Sequence, residues 1–267
     1  MTTKLGAAVV KGRPNPALWP YSLAGFVALF AVWFGLARSG LVPARVLPGP
    51  DAVIVAFLRL LNDPFAGFTL QQHLASSVIR FGLGFSLAAA VGIPLGLLMG
   101  WFRWLDDIVT PLFEGLRFIA PIAWVPFAAL WFGTGIGGPI LIIFSGAFPP
   151  CVINAHRGAR LVEPRLIEAA RTLGASHRHI ILEVLIPAAL PAIIAGLRIG
   201  AGLGWQSLIG AELIVVSSGI GYLIVQGQSN LATPIVMAGM MAIGLVGFAI
   251  DVLLRAFEQR VRRGWAG

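Results

Sequence analysis

LASSVIRFGLGFSLAAAVGIPLGLLM, residues 74–99, contains a single ionisable side chain, Arg80, in a run long enough to cross a bilayer as one helix. About 20 apolar residues cover the ~30 Å hydrocarbon core, and a helix satisfies its own backbone groups where no water is present to do so. Outward from this segment, similar runs recur along the 267-residue chain. A first span is expected over about Leu18–Ala37. A third lies over about Ile108–Trp131, interrupted by Pro111, Pro121 and Pro126, and a fourth over about Pro139–Ile153. A fifth covers about Val184–Val216, long enough for a tilted or broken helix, and a sixth about Ala232–Leu254. Asp51–Asn62 is apolar but too short to cross, so it reads as a helix lying in the interface or packed on the bundle.

Composition agrees: 58% of residues are hydrophobic, 11% are charged, and the mean hydropathy is +0.88, outside the range of soluble domains. Transmembrane strands are too weakly patterned to explain runs this apolar. The first apolar run is too long for a signal-peptide core and reads as an uncleaved helix. The net charge of +8 comes from basic residues scattered singly between spans, which excludes a nucleic-acid patch and marks topology instead. Lys and Arg in short loops stay in the cytoplasm. With the amino end inside, the cytoplasmic segments hold Lys4, Lys11, Arg13, Arg103, Arg157, Arg160, Arg165, Arg171, Arg178, Arg255, Arg260, Arg262 and Arg263. The outer side holds only Arg38, Arg45, Arg59 and Arg80, while Arg117 and Arg198 fall within spans. Both termini are therefore expected in the cytoplasm. The lone Cys151 excludes an internal disulfide framework and a cysteine metal cluster, and reads as a small buried side chain. Gly92, Gly96 and Gly100, and again Gly196, Gly200 and Gly204, are spaced for close helix contact.

The polar segment between the fourth and fifth spans encodes an elbow: LVEPRLIEAARTLGASHRHIILEVLIPAALP, residues 161–191. Pro164 suits a first helical position, Glu168 to Leu173 are good helix formers, and Gly174 is a natural stop. Ser176 then caps a second helix running into the membrane, where Pro187 and Pro191 loosen its entry. Ala169 and Ala170 leave one side of the first helix flat. A solvated pair of helices needs neither that flat face nor a sharp corner, whereas an element docking on another subunit uses both.

Glu168-Ala169-Ala170, three residues, Gly174, nine residues, Val184, one residue, Ile186 and Pro187 resemble the EAA loop of binding-protein-dependent ABC importer permeases. VLPGP near residue 47, GIPLGLLMG at 92–100, PIAWVPFAALWFG at 121–133 and PAALPAIIAGLRIGAGLGW at 187–205 resemble the nitrate, sulfonate and taurine branch of those permeases, with DPFAGFTLQQHLASS at 63–77 closest to taurine permeases. The resemblance implies an all-α, six-helix, type I (MetI-like) permease fold in a bacterial inner membrane. Residues 1–17 would be a cytoplasmic tail, 18–257 the transmembrane domain with a coupling loop over 154–183, and 258–267 a second cytoplasmic tail. It implies a homodimer, two cytoplasmic ATPases that bind ATP and Mg, and an external solute-binding protein. The chain itself carries no GxxxxGK[ST] loop, so it is not an enzyme and holds no cofactor. By resemblance, Pro164, Glu168, Ala169, Ala170, Arg171, Gly174, Ala175, Ser176 and Pro187 form the ATPase-coupling element. The solute would be a small anion, taurine or a sulfonate or a nitrate-like ion, moved by alternating access.

Ionisable groups at membrane depth are costly and are paired or functional. Glu114 and Arg117 share a helical face three residues apart, which reads first as an internal pair. Arg198 reads first as paired with a neighbouring helix, and Glu212, near the outer end, as a gate group or a wet interfacial carboxylate. With Trp124, Trp205, Gln206 and Ser207 they are the candidates for a solute path or gate. Asp106 and Asp107 read as a solvated turn, and the histidines lack an HExxH arrangement, so neither zinc nor acid–base chemistry is indicated. The rival reading, a channel or ion-gradient transporter, does not account for the elbow.

Overall fold

The computed structural model describes residues 19–265; the expected amino-terminal tail, 1–17, lies outside them. The elements are α1 (Trp19–Arg38), α2 (Pro50–Asn62), α3 (Leu70–Trp101), α4 (Arg103–Leu116), a 3-10 turn at Pro121–Trp124, α5 (Val125–Phe132), α6 (Gly137–Arg160), α7 (Pro164–Thr172), a single turn α8 (His177–His179), a π-helical stretch Ile180–Leu185, α9 (Ile186–Glu212), α10 (Ile220–Ser229) and α11 (Thr233–Trp265). Four helical runs, Leu70–Trp101, Gly137–Arg160, His177–Glu212 and Thr233–Val261, are long and apolar enough to cross a membrane. The pair Arg103–Leu116 and Pro121–Phe132, bent by 84°, makes a fifth. In α1 the apolar helix Leu23–Arg38 is shorter than those runs.

The bent pair crosses the bundle rather than doubling back. Asp106, in the first turn of α4, meets Arg160 at the elbow end of α6, with Arg160 Nη2 2.5 Å from Asp106 Oδ2. At the other end, Val125 and Ala128 of α5 pack with Ile142, Ala211 and Val215. Prolines explain the break: Pro121 and Pro126 lack the N–H that a continuous helix would use, so the chain turns at residues 117–120 and restarts. The third span was expected with proline interruptions, and the bend is their consequence.

Both glycine rows press against one helix, α6. A Cβ on Gly96 would collide with the Val152 carbonyl oxygen and stand 3.0 Å from the His156 nitrogen; a Cβ on Gly196 would lie 2.6 Å from the Asn154 Cβ. The backbones of α3, α6 and α9 therefore meet at distances only glycine permits, and these three helices form the rigid centre of the bundle. Cys151 sits in that seam, 1% exposed. Around it, α2 packs Val53 and Leu60 against the α3, α9, α10 and α11 cluster.

Three features differ from expectation. α10 is a helix within a stretch read as a connection. α11 stays helical to Trp265, past the expected span end at Leu254. The entry to the fifth span is wound as a π-helix: Ile186 N–H reaches back to Ile181 O, and Pro187, without an N–H, removes the next donor of an α-helical ladder.

Candidate functional site

The elbow is closed by its own backbone. Pro164 opens α7 after Glu163. At the far end Gly174 N–H donates to Arg171 O (2.9 Å) and Ala175 N–H to Ala170 O (3.0 Å), the paired bonds of a Schellman stop. Gly174 holds φ +79°, a left-handed conformation that a side chain disfavours. Ser176 Oγ accepts the His179 N–H at 3.4 Å, capping α8. On the inner side Ile167 packs with Val162 and Leu185, which seats α7 on the foot of α9. On the outer side Leu161 (81% exposed), Leu166 (51%) and Leu173 (88%) protrude. Glu168 and Ala169 share that exposed surface, while Ala170 is half-buried. The Arg171 side chain lines a cavity of ≈ 380 Å³ between the elbow and the end of α3. Pro187 lies in the first turn of α9.

A second region is a cavity of ≈ 470 Å³ at the break of the third span. Arg117, Ser145, Gln206 and Ser207 supply its polar side chains, and residues 118–122 form one wall. Of the expected pathway residues, Arg117, Gln206 and Ser207 come together here. Trp124 lines an adjoining pocket that Arg117 also borders. Glu114 lies one turn back and pairs with Arg117, Nη2 to Oε2 2.6 Å. Trp205 turns away: it is buried edge-on against Phe81, and its Nε1–H donates to Ile243 O at 3.3 Å. Arg198 is tied to α11, Nε to Asp251 Oδ1 at 2.8 Å and Nη1 to Glu258 Oε2 at 3.6 Å.

Glu212 corrects the sequence reading, because it is neither wet nor interfacial: it is fully buried. Arg80 Nη1 stands 3.0 Å from Oε1, Ser77 Oγ donates at 2.8 Å, and Gly221 N–H donates to Oε2 at 3.0 Å. Arg80 Nη1 also donates to Ser218 O at 2.7 Å. Ser77 Oγ accepts the Ile220 N–H (3.0 Å), and His73 Nδ1 accepts the Gly219 N–H (3.1 Å). His73 Nδ1 is thus an acceptor, so Nε2 carries the proton and donates to Phe65 O at 3.0 Å. The amides of Gly219, Ile220 and Gly221, at the start of α10, are taken up by side chains of α3 and α9, and the helix dipole favours the carboxylate placed there. Sequence reasoning missed Arg80, Ser77 and His73 as the partners of Glu212. Their spacing, four then three residues, puts them on one helical face, and a buried carboxylate demands such a face.

Asp106 is likewise not a solvated turn. Its side chain, 13% exposed, accepts from Thr110 Oγ1 at 2.7 Å and pairs with Arg160, and His156 Nε2 lies 3.2 Å from Oδ1 without hydrogen-bond alignment. Among the described residues no group of three His, Cys, Asp or Glu side chains is placed to hold a metal ion.

A bundle of membrane-crossing helices packed backbone to backbone, a largely apolar cavity with four polar side chains at a broken span, and a protruding elbow define a membrane-embedded transport subunit. Residues 92–263 match the family described as the binding-protein-dependent transport system inner membrane component, and the chain belongs to that family of ABC importer permeases. It is 36% identical over 250 residues to the taurine transport system permease protein TauC of Escherichia coli, covering 91% of each chain. It is 37% identical over 250 residues to the bicarbonate transport system permease protein CmpB of Synechococcus elongatus, covering 90% of this chain and 88% of that one. An inward-facing structure of the MetNI methionine ABC transporter shares the fold, with a TM-score of 0.50 at 22% identity over 70% of this chain and 93% of that chain. The protein is therefore a multi-pass inner-membrane subunit without an ATPase site of its own. Nucleotide binding belongs to separate ATPase subunits, and a substrate-binding protein is a further partner.

Proposed function

We propose that the chain forms half of the solute pathway of an importer for a small anion, as a homodimer of six-span subunits with both termini in the cytoplasm. The elbow from Pro164 to Ser176 docks on the ATPase, and closure of two ATPases on ATP rocks the linked spans between inward-open and outward-open states. The observation that carries this reading is the elbow's construction. Three exposed leucines stand along an elbow whose corner is fixed by a left-handed glycine, one of them, Leu166, on α7 itself, and α7 packs into the bundle through Ile167. Exposed apolar groups on a rigid, polar-flanked knob mark an interaction surface. Within that element Glu168 and Arg171 supply polar contacts, Ala169 and Ala170 permit close approach, and Gly174, Ala175, Ser176 and Pro187 hold the angle at which force enters α9.

The anionic solute is supported by the cavity, whose ionisable lining group is Arg117, and by relatives named for taurine and bicarbonate. Arg117, Gln206 and Ser207 would contact the solute. Glu114 and Trp124 flank it, while Trp205, Arg198 and Glu212 hold the helices that form the walls. Co-expression with the neighbouring ATPase and binding protein tests the reading: in reconstituted membranes, taurine, ethanesulfonate, nitrate or bicarbonate should raise ATPase turnover. Uptake driven by a proton or sodium gradient, without the ATPase, contradicts it.

A further inference from the structure

Arg117 stands where three cavities meet. It borders the central cavity, the pocket beside Trp124, and a smaller cavity of ≈ 160 Å³ that reaches toward the elbow end past His156 and Arg157. It also caps the C-terminal end of α4 just before the 84° bend, with its N–H still bonded to Phe113 O. A change in the bend between α4 and α5 therefore moves the one ionisable side chain that lines the central cavity among the described residues.

Its charge is already occupied. Nε donates to Glu114 Oε2 at 2.7 Å, Nη2 lies 2.6 Å from the same oxygen, and Cζ sits 4.8 Å over the Phe118 ring. Glu114 borders only the elbow-side cavity, and among the described residues no carboxylate borders the central one. The Arg117 and Glu114 side chains are 31% and 46% exposed, so the chain's own packing does not enclose the pair and leaves both ends accessible to another partner.

A carboxylate offers a guanidinium the same thing that a sulfonate, nitrate or bicarbonate does: delocalised anionic oxygens that accept N–H bonds. We infer that Glu114 is the release element of the anion pathway, an internal carboxylate that competes with the solute for Arg117. With the pair apart, Arg117 holds the anion at the central cavity. When the pair re-forms, two effects act in one direction. Arg117 loses its hold, and Glu114, the one carboxylate that lines the elbow-side cavity among the described residues, is neutralised, leaving the positive Arg157 to draw the anion onward. The inference rests on the anion-importer reading and adds its regulation.

The test uses the whole complex, with ATPase and binding protein, in proteoliposomes supplied in turn with labelled taurine, ethanesulfonate, nitrate and bicarbonate. For the solute that the unaltered protein transports, Glu114→Gln should slow release of preloaded label by about tenfold, as an anion held tighter by one uncontested contact requires. Glu114→Asp, which keeps the charge, should release within about threefold of the unaltered rate. Arg117→Gln should lose anion uptake, and the double change Glu114→Gln/Arg117→Gln, which leaves no unpaired charge, should show no slow release. Release at the unaltered rate in Glu114→Gln, or full uptake in Arg117→Gln, overturns the inference while leaving the importer intact. Failure of the unaltered complex to transport any of the four anions overturns the anion reading itself.

Discussion

Replacing Gly174 tests whether the elbow's corner carries force. A Cβ at this position meets nothing within 4 Å, so crowding contributes nothing, and the whole cost is that of φ +79° for a side-chain-bearing residue. That cost is about 1–2 kcal/mol, which shifts the balance between formed and opened corner by a factor of about 5–30. The two bonds that depend on the corner, Gly174 N–H to Arg171 O and Ala175 N–H to Ala170 O, would loosen together. Asn tolerates the left-handed region, Ala less so, and a β-branched residue least. Solute-stimulated ATPase activity of the reconstituted complex should therefore fall in the order Gly, Asn, Ala, Val, with Gly174→Asp lowered about as far as Asn because it tolerates the same region, while insertion of the bundle is unchanged. Stimulation in Gly174→Val equal to that of the unaltered protein would refute the reasoning.

Other substitutions probe the bundle that the elbow drives. Gly96→Ala places a methyl group on the Val152 carbonyl, a backbone atom that cannot step aside, so about 1–3 kcal/mol of stability should go, read as a lower melting temperature in detergent. Arg80→Ala leaves Glu212 buried without its counter-charge and should cost about 3–5 kcal/mol, seen as poor recovery of folded protein; Glu212→Gln, which keeps the shape and one acceptor oxygen and leaves Arg80 bonded to Ser218, should cost less in the same melt. Leu166→Asp puts a charge on the exposed face of α7 and should reduce co-purification of the ATPase without changing that melt.

The elbow was the most legible part of the chain, because its signals are local. Proline at a first helical position, glycine at a stop and serine at a cap each act through their own backbone, and all three stand where the sequence placed them. The glycine rows were equally readable, since a four-residue repeat of missing side chains has one use in a helix. What the rows did not tell is that both serve the same partner, α6, because spacing fixes a face and not its neighbour. The buried Glu212 node was misread for that reason: its partners are Ser77 and Arg80 of α3, 135 and 132 residues away along the chain, and the amide of Gly221, nine residues away. α10 itself was missed because Gly219, at φ +109°, starts a helix directly after a turn whose capping groups lie on other helices. The cavity residues divided along the same line. Gln206 and Ser207 point where the break of the third span leaves room, while Trp205, their neighbour, faces the opposite wall.

The measurement that bears most directly on the central claim is a cross-link between the elbow and the ATPase. Cys151 is buried, so after Cys151→Ser a single cysteine at Leu166, which is half exposed on the outer face of α7, reports on that face alone. The account predicts that this cysteine is labelled from the cytoplasmic side in the free subunit, and that in the assembled complex it cross-links to the ATPase and changes yield with ATP. Labelling from the outer side of the membrane, or a complex that hydrolyses ATP with the elbow touching no ATPase, would contradict it.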